Sequence, residues 1–158
     1  MKQTLAFKNA ALGEIKTLLD GGALHMFAGP VPATADEALD MATNHTALNA
    51  ITNNGGGTGL TFDTPTTGVL TKAAAETWKG TNTFEGADQA ETTLQPTFYR
   101  FCAAGDNGRA VANASTGYRL QGTIGGPSSA AELRLGTTTI TAGNEQPVGD
   151  FVYRLAQA

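Results

Sequence analysis

Two runs of strict alternation stand out in the C-terminal half of the chain. In TFYRFCA, residues 97–103, Phe98, Arg100 and Cys102 fall on one side of an extended backbone, and Tyr99 and Phe101 on the other. In GYRLQGTIG, residues 117–125, Tyr118, Leu120, Gly122 and Ile124 share one face, while Arg119, Gln121 and Thr123 share the opposite one. A period of two over such lengths predicts β-strands. The clean polar face of the second run predicts antiparallel pairing with one side in water. On this reading Phe98 and Cys102 face the core beside Tyr118, Leu120 and Ile124. The connection carries a tight Asp106-Asn107-Gly108 turn.

The N-terminal third has the other period. In residues 9–19, Leu12, Ile15, Leu18 and Leu19 recur at helical spacing, with Asn9 as the expected cap and Asp20-Gly21-Gly22 as the stop. Residues 1–8 then remain as an N-terminal arm, able to add a strand to a neighbouring subunit. ALHMFAG, 23–29, reads as a strand with Leu24, Met26 and Ala28 inward, ended by Pro30 and Pro32. Thr34-Ala35-Asp36-Glu37 has the form of a capping box and predicts a short helix over about 35–43. Residues 44–59 read as a loop, with a turn at Asn53-Asn54-Gly55-Gly56-Gly57.

Further on, LTFD, GVLTK and ETWKG predict three short strands, and the acidic stretch 85–96 an exposed loop. AELRLG, TTTITAG and PVGDFVYRLA predict three more strands. The sum is a single domain, 1–158, that is mainly β. The expected architecture is an antiparallel β-sandwich or compact barrel, with a short N-terminal helix and one further helical turn.

Composition narrows the function more than the fold. Only 15% of residues are charged, and the ten cations are scattered singly around a net charge of −4. Without a basic stripe to neutralise phosphates, direct nucleic-acid binding is not expected. Four of the five arginines (Arg100, Arg119, Arg134 and Arg154) fall on predicted strands or their edges, where the expectation is carboxylate pairing or solvation. No apolar run approaches membrane-spanning length, so no membrane partner is expected. The first residues, with lysines at 2, 8 and 16, lack the apolar stretch of an export signal, so synthesis and folding in a cytoplasm is expected.

Few residues carry a recognisable chemical signature. Cys102 is the sole cysteine, cannot form an internal disulfide, and reads as a buried, inert thiol. His25 and His45 sit in no catalytic motif and read as surface or core-edge residues. Asp36, Glu37, Asp40 and His45 form the nearest approach to a metal cluster. Asp36 and Asp40 would share a helix face, where carboxylates more simply complement a helix N-terminus. No G-x-S-x-G elbow, phosphate loop or complete calcium loop is present. The chain is therefore not expected to be an enzyme or to hold a metal or cofactor. Trp78, Phe98, Tyr99 and Phe101 are the expected core or interface anchors. A small β-type carbohydrate-binding module is the reading that would still require a site.

The order of these segments is similar to that of small structural proteins of tailed bacteriophages and prophages. The similarity is carried by Leu24–Thr34, Phe98–Phe101, Gly122–Gly125, Glu132–Leu135 and Ile140–Gly143. It implies a virion component made in a host cytoplasm, with the major capsid protein or other virion proteins as partners. The leading expectation is a capsid decoration, or cement, protein that binds the head lattice as a homo-oligomer, a trimer in the simplest case. A tail or head–tail connector ring is the alternative, and a carbohydrate-binding accessory domain the second.

Overall fold

The computed structural model describes residues 2–155. Helix α1 spans Leu5–Leu19 and is capped by Thr4, whose hydroxyl accepts the Phe7 amide at 3.3 Å. The cap thus lies a turn earlier than Asn9, and residues 5–8 of the expected arm are helix. Asn9 instead uses its side-chain oxygen to accept the Gly68 amide at 2.8 Å. At the other end Gly21 takes the left-handed conformation, φ 85°, as the stop signal requires. Leu12 and Leu19 are buried against the sheet, with Ile15 packed beside them.

Among the described residues twelve strands follow: β1 Ala23–Ala28, β2 Thr46–Asn53, β3 Leu70–Thr71, β4 Trp78–Thr81, β5 Glu85–Gly86, β6 Thr93–Leu94, β7 Phe98–Cys102, β8 Arg119–Gly125, β9 Leu133–Arg134, β10 Ile140–Thr141, β11 Glu145–Val148 and β12 Val152–Tyr153. The main sheet has the order β11-β4-β2-β1-β7-β8-β9, with β5 also paired to β2, and curls into a half-barrel. β12 pairs with β3, and β10 with β6. The fold is mainly β with one N-terminal helix, as expected. The sheet is mixed rather than purely antiparallel, because β9 runs parallel to β8.

Three local expectations are corrected. Residues 46–53, read as loop, form the long strand next to β1. The register opposes Met26 to Asn49 and Phe27 to Ala47, so Leu48 is an extra, bulged residue. The bulge puts Leu48 and Ile51 into the same core and destroys the period of two. The helix over 35–43 does not form; turns at 35–36 and 41–44 stand in its place. Half of the capping box is present, since the Glu37 carboxylate accepts the Thr34 amide at 3.1 Å. The helix is lost because the carbonyls of 34, 35, 36 and 37 are all taken by partners from elsewhere: Arg100, Arg119, the Ala112 amide and Arg100 again. The expected further helical turn is thus absent, and the turn at 41–44 is closed by the Asn44 amide on the Asp40 carbonyl at 3.0 Å.

The third correction concerns which face holds the main core. Tyr99 and Phe101, not Phe98 and Cys102, point into it, together with Leu120, Ile124, Trp78, Phe62 and Phe151. Tyr118 stands 42% exposed. Gly122 lies across from Tyr99, and a Cβ there would fall 2.8 Å from the tyrosine ring. The missing side chain is what lets that ring lie flat over β8. Phe98 belongs to a smaller cluster on the opposite face with Phe27, Leu39 and Ala47, its ring stacked 5.1 Å from Phe27. All five residues of β7 are buried, so the sheet is covered on both sides at its centre.

Candidate functional site

The cover on the second face is polar, and two arginines hold it. Arg100 pairs with Gln121 across β7 and β8, and its side chain is fully buried. Its Nε donates to Gln121 Oε1 at 2.9 Å. Nη1 donates to the carbonyls of Glu37 at 2.8 Å and Gly108 at 2.5 Å, and Nη2 to that of Thr34 at 3.3 Å. The guanidinium also lies over the Phe98 ring, 5.9 Å from its centroid. Gln121 then donates to the Pro32 carbonyl at 2.8 Å. A planar five-donor fork suits this task, because one side chain reaches carbonyls on two separate segments.

Arg119, on the same face one pair along, grips Asp106 through two parallel bonds, Nε to Oδ2 at 2.6 Å and Nη2 to Oδ1 at 2.8 Å. Its Nη1 donates to the carbonyls of Ala35 and Ala110, both at 3.0 Å. Asp106 Oδ1 also accepts the Gly108 amide at 2.9 Å, so the Asp106-Asn107-Gly108 turn is built by this carboxylate. Segments 32–37 and 106–112 are thereby pinned to the sheet by side chains of β7 and β8. Arg109 adds an ion pair to Glu85 at 2.6 Å.

The titrations follow from this packing. Burial, then repulsion from Arg119, lowers the Arg100 pKa, whereas the Asp106 bonds raise that of Arg119. Burial opposes ionisation of Asp106, but the bonds from Arg119 and the Gly108 amide outweigh it and hold the carboxyl below its ordinary range. His25, on the same face opposite Arg100, is lowered to about 4, first by burial and then by the charge of Arg109. Cys102 is pushed up to about 12 by burial and by Asp106. At neutral pH the histidine is thus a very weak base and the cysteine a protonated thiol, neither suited to attack a substrate.

The four expected anchors are all inside the chain. Trp78, Tyr99 and Phe101 meet in the main core, where Trp78 lies 5.7 Å from both Phe101 and Phe151, and Tyr99 5.6 Å edge-on to Phe151. The Trp78 indole N–H donates to Glu76 at 2.7 Å. Phe98 is apart from them on the polar-covered face. The acidic group near the 35–43 segment is dispersed. Asp40 spends its carboxylate on Ala42, Thr43 and Asn44, and the Thr43 hydroxyl is the first cause of its lowered pKa. His45 instead contacts the Pro30 carbonyl at 2.9 Å and the edge of Phe98. Among the described residues no three His, Cys, Asp or Glu side chains are placed to hold a metal ion, and no helix is long and apolar enough to cross a membrane.

One open groove, of about 890 Å³, runs between the β8–β9 edge and the segment around β12. Tyr99 reaches it from the core, and Glu132, Arg134, Asp150 and Tyr153 line it. The Thr123 amide donates to Glu132 Oε2 at 2.8 Å, and the Thr123 hydroxyl donates to the same oxygen. These bonds hold the Glu132 carboxyl below its ordinary range. Sequence reasoning missed both this groove and the buried arginines. The only signal for Arg100 was a cation inside an otherwise apolar five-residue strand, facing Gln121 and Arg119 on the next one. No family model, curated protein or solved structure matches the chain.

Proposed function

We propose that this chain is a structural protein of a tailed-phage virion that decorates the capsid, acting by adhesion and without catalysis. The observation that carries this reading is the use made of the chemically capable groups. Arg100, Arg119, Asp106 and Gln121 are spent on pinning two cover segments to the sheet. Val31, Val111 and Tyr118 stand exposed on or beside those segments, and Leu5 and Phe7 stand exposed on the first turn of α1. Apolar side chains on pre-ordered segments lose little freedom when they dock, which favours a surface built for contact. The edges of the sheet suit a protein that must stay soluble before assembly. β9 is two residues long, and β11 carries Pro147, which has no amide to offer.

On this reading the partner is the major capsid protein, and the chain binds as a homo-oligomer, with a trimer the simplest form. Each copy contributes binding free energy to the lattice it spans, and many copies act together. Heads stripped of this protein should lose their shell at a lower temperature than intact heads, and adding the purified chain back should restore the difference. Differential scanning fluorimetry or calorimetry of the two preparations reads this directly. Equal melting of stripped and intact heads would remove the cement role.

A further inference from the structure

The groove beside β12 takes Tyr99, a residue of the main core, into its wall. Tyr99 is 4% exposed, yet it lines the groove, and its hydroxyl has no hydrogen-bond partner among the described residues. The hydroxyl opens onto the groove, where water or a ligand can bond it. Gly122 leaves the room the ring needs to reach this position. Around the oxygen stand groups of both hydrogen-bonding kinds. Glu132 has Oε2 fixed by Thr123, which orients Oε1. Asp150 is a second acceptor, and Arg134 a donor; Glu132, Arg134 and Asp150 are all exposed. Tyr153 adds a half-buried aromatic ring.

We propose that this groove is a saccharide-binding site, with the Tyr99 hydroxyl at its floor, Glu132, Asp150 and Arg134 as its polar walls and Tyr153 as an apolar platform. The chemistry selects the class. Each sugar hydroxyl both donates and accepts, so it uses carboxylates and a guanidinium side by side. The two carboxylates, Glu132 and Asp150, are matched by two guanidinium groups, Arg134 and Arg154, so the lining has no net charge to favour a phosphate or polyanion, and a purely apolar ligand would strand the charges. The open form suits a segment of a longer glycan more than an enclosed small molecule. The inference rests on the groove alone and stands or falls separately from the capsid role.

The test is an array of neutral hexose and N-acetylhexosamine oligosaccharides probed with the full chain, followed by titration calorimetry on the best binder. At least one neutral glycan should bind saturably. Tyr99→Phe keeps the ring and should weaken that binding about tenfold, the effect of one good hydrogen bond. Asp150→Asn and Arg134→Gln, on exposed side chains, should weaken it several-fold with unchanged melting temperature. They carry the test even if Tyr99→Phe disturbs the fold. A blank array, binding confined to phosphorylated or acidic glycans, or affinity unmoved by both Asp150→Asn and Arg134→Gln would overturn the proposal.

Discussion

Arg100→Ala should lower the free energy of unfolding by about 3–5 kcal/mol, a large part of the ~5–15 kcal/mol a domain possesses. The loss has two sources. The carbonyls of Thr34, Glu37 and Gly108 and the amide oxygen of Gln121 lose their donor at once, in a place where the side chain had excluded water. The stem and guanidinium also leave the Phe98 ring uncovered. Arg100→Lys should recover little, because a single ammonium cannot span carbonyls on both segments. Urea titration gives the stability, and limited proteolysis gives the mechanism, with new cleavage expected inside 30–37 and 103–112 as these segments come loose. Arg154→Gln, at an exposed position, is the control and should stay within about 0.5 kcal/mol of the parent. If Arg100→Ala matched that control, the pinning account would be wrong.

Acid should weaken the fold well before carboxylates titrate, and His25 is the reason. The folded chain holds its pKa near 4, against 6.5 for the free side chain. Between those values the unfolded chain takes a proton that the folded chain refuses, so stability is full above pH 6.5 and falls as pH drops to about 4. At ~1.36 kcal/mol per pH unit, that gap amounts to about 3 kcal/mol. Below the ordinary aspartate value of 3.8 a second loss begins, as Asp106 is protonated and releases Arg119. Denaturant titrations from pH 8 to pH 3 measure both. His25→Gln, which cannot take the proton, should flatten the profile between 6.5 and 4 and leave the Asp106 loss in place. An unchanged slope in His25→Gln would contradict the assignment.

What the sequence made legible was what depends on near neighbours. Leu12, Ile15 and Leu19 on the inner face of α1 (though not Leu18), its glycine stop, the inward residues of β1 and the pairing of β7 with β8 appear as read. What was hidden depends on distant partners. β2 escaped because the Leu48 bulge breaks the alternation that marks a strand. The 35–43 helix had a genuine capping signal, but tertiary donors captured its first carbonyls, and tertiary bonds outweigh a weak local preference. β11 was masked by Pro147, which an edge strand tolerates. The two faces of β7 were told apart wrongly because both are covered, so its alternation marks two layers and not inside and outside. The groove was illegible for the same reason. Tyr99, Glu132 and Asp150 lie on three separate stretches of chain, and no motif joins them.

The most direct test of the decorating role is a count. Quantitative mass spectrometry of purified particles, against the major capsid protein, gives the copy number of this chain. A decorating protein should be present in near-stoichiometric proportion to the capsid protein, as covering a lattice requires. A number matching a single ring of six or twelve subunits would place the chain in a tail or connector and contradict the decorating role.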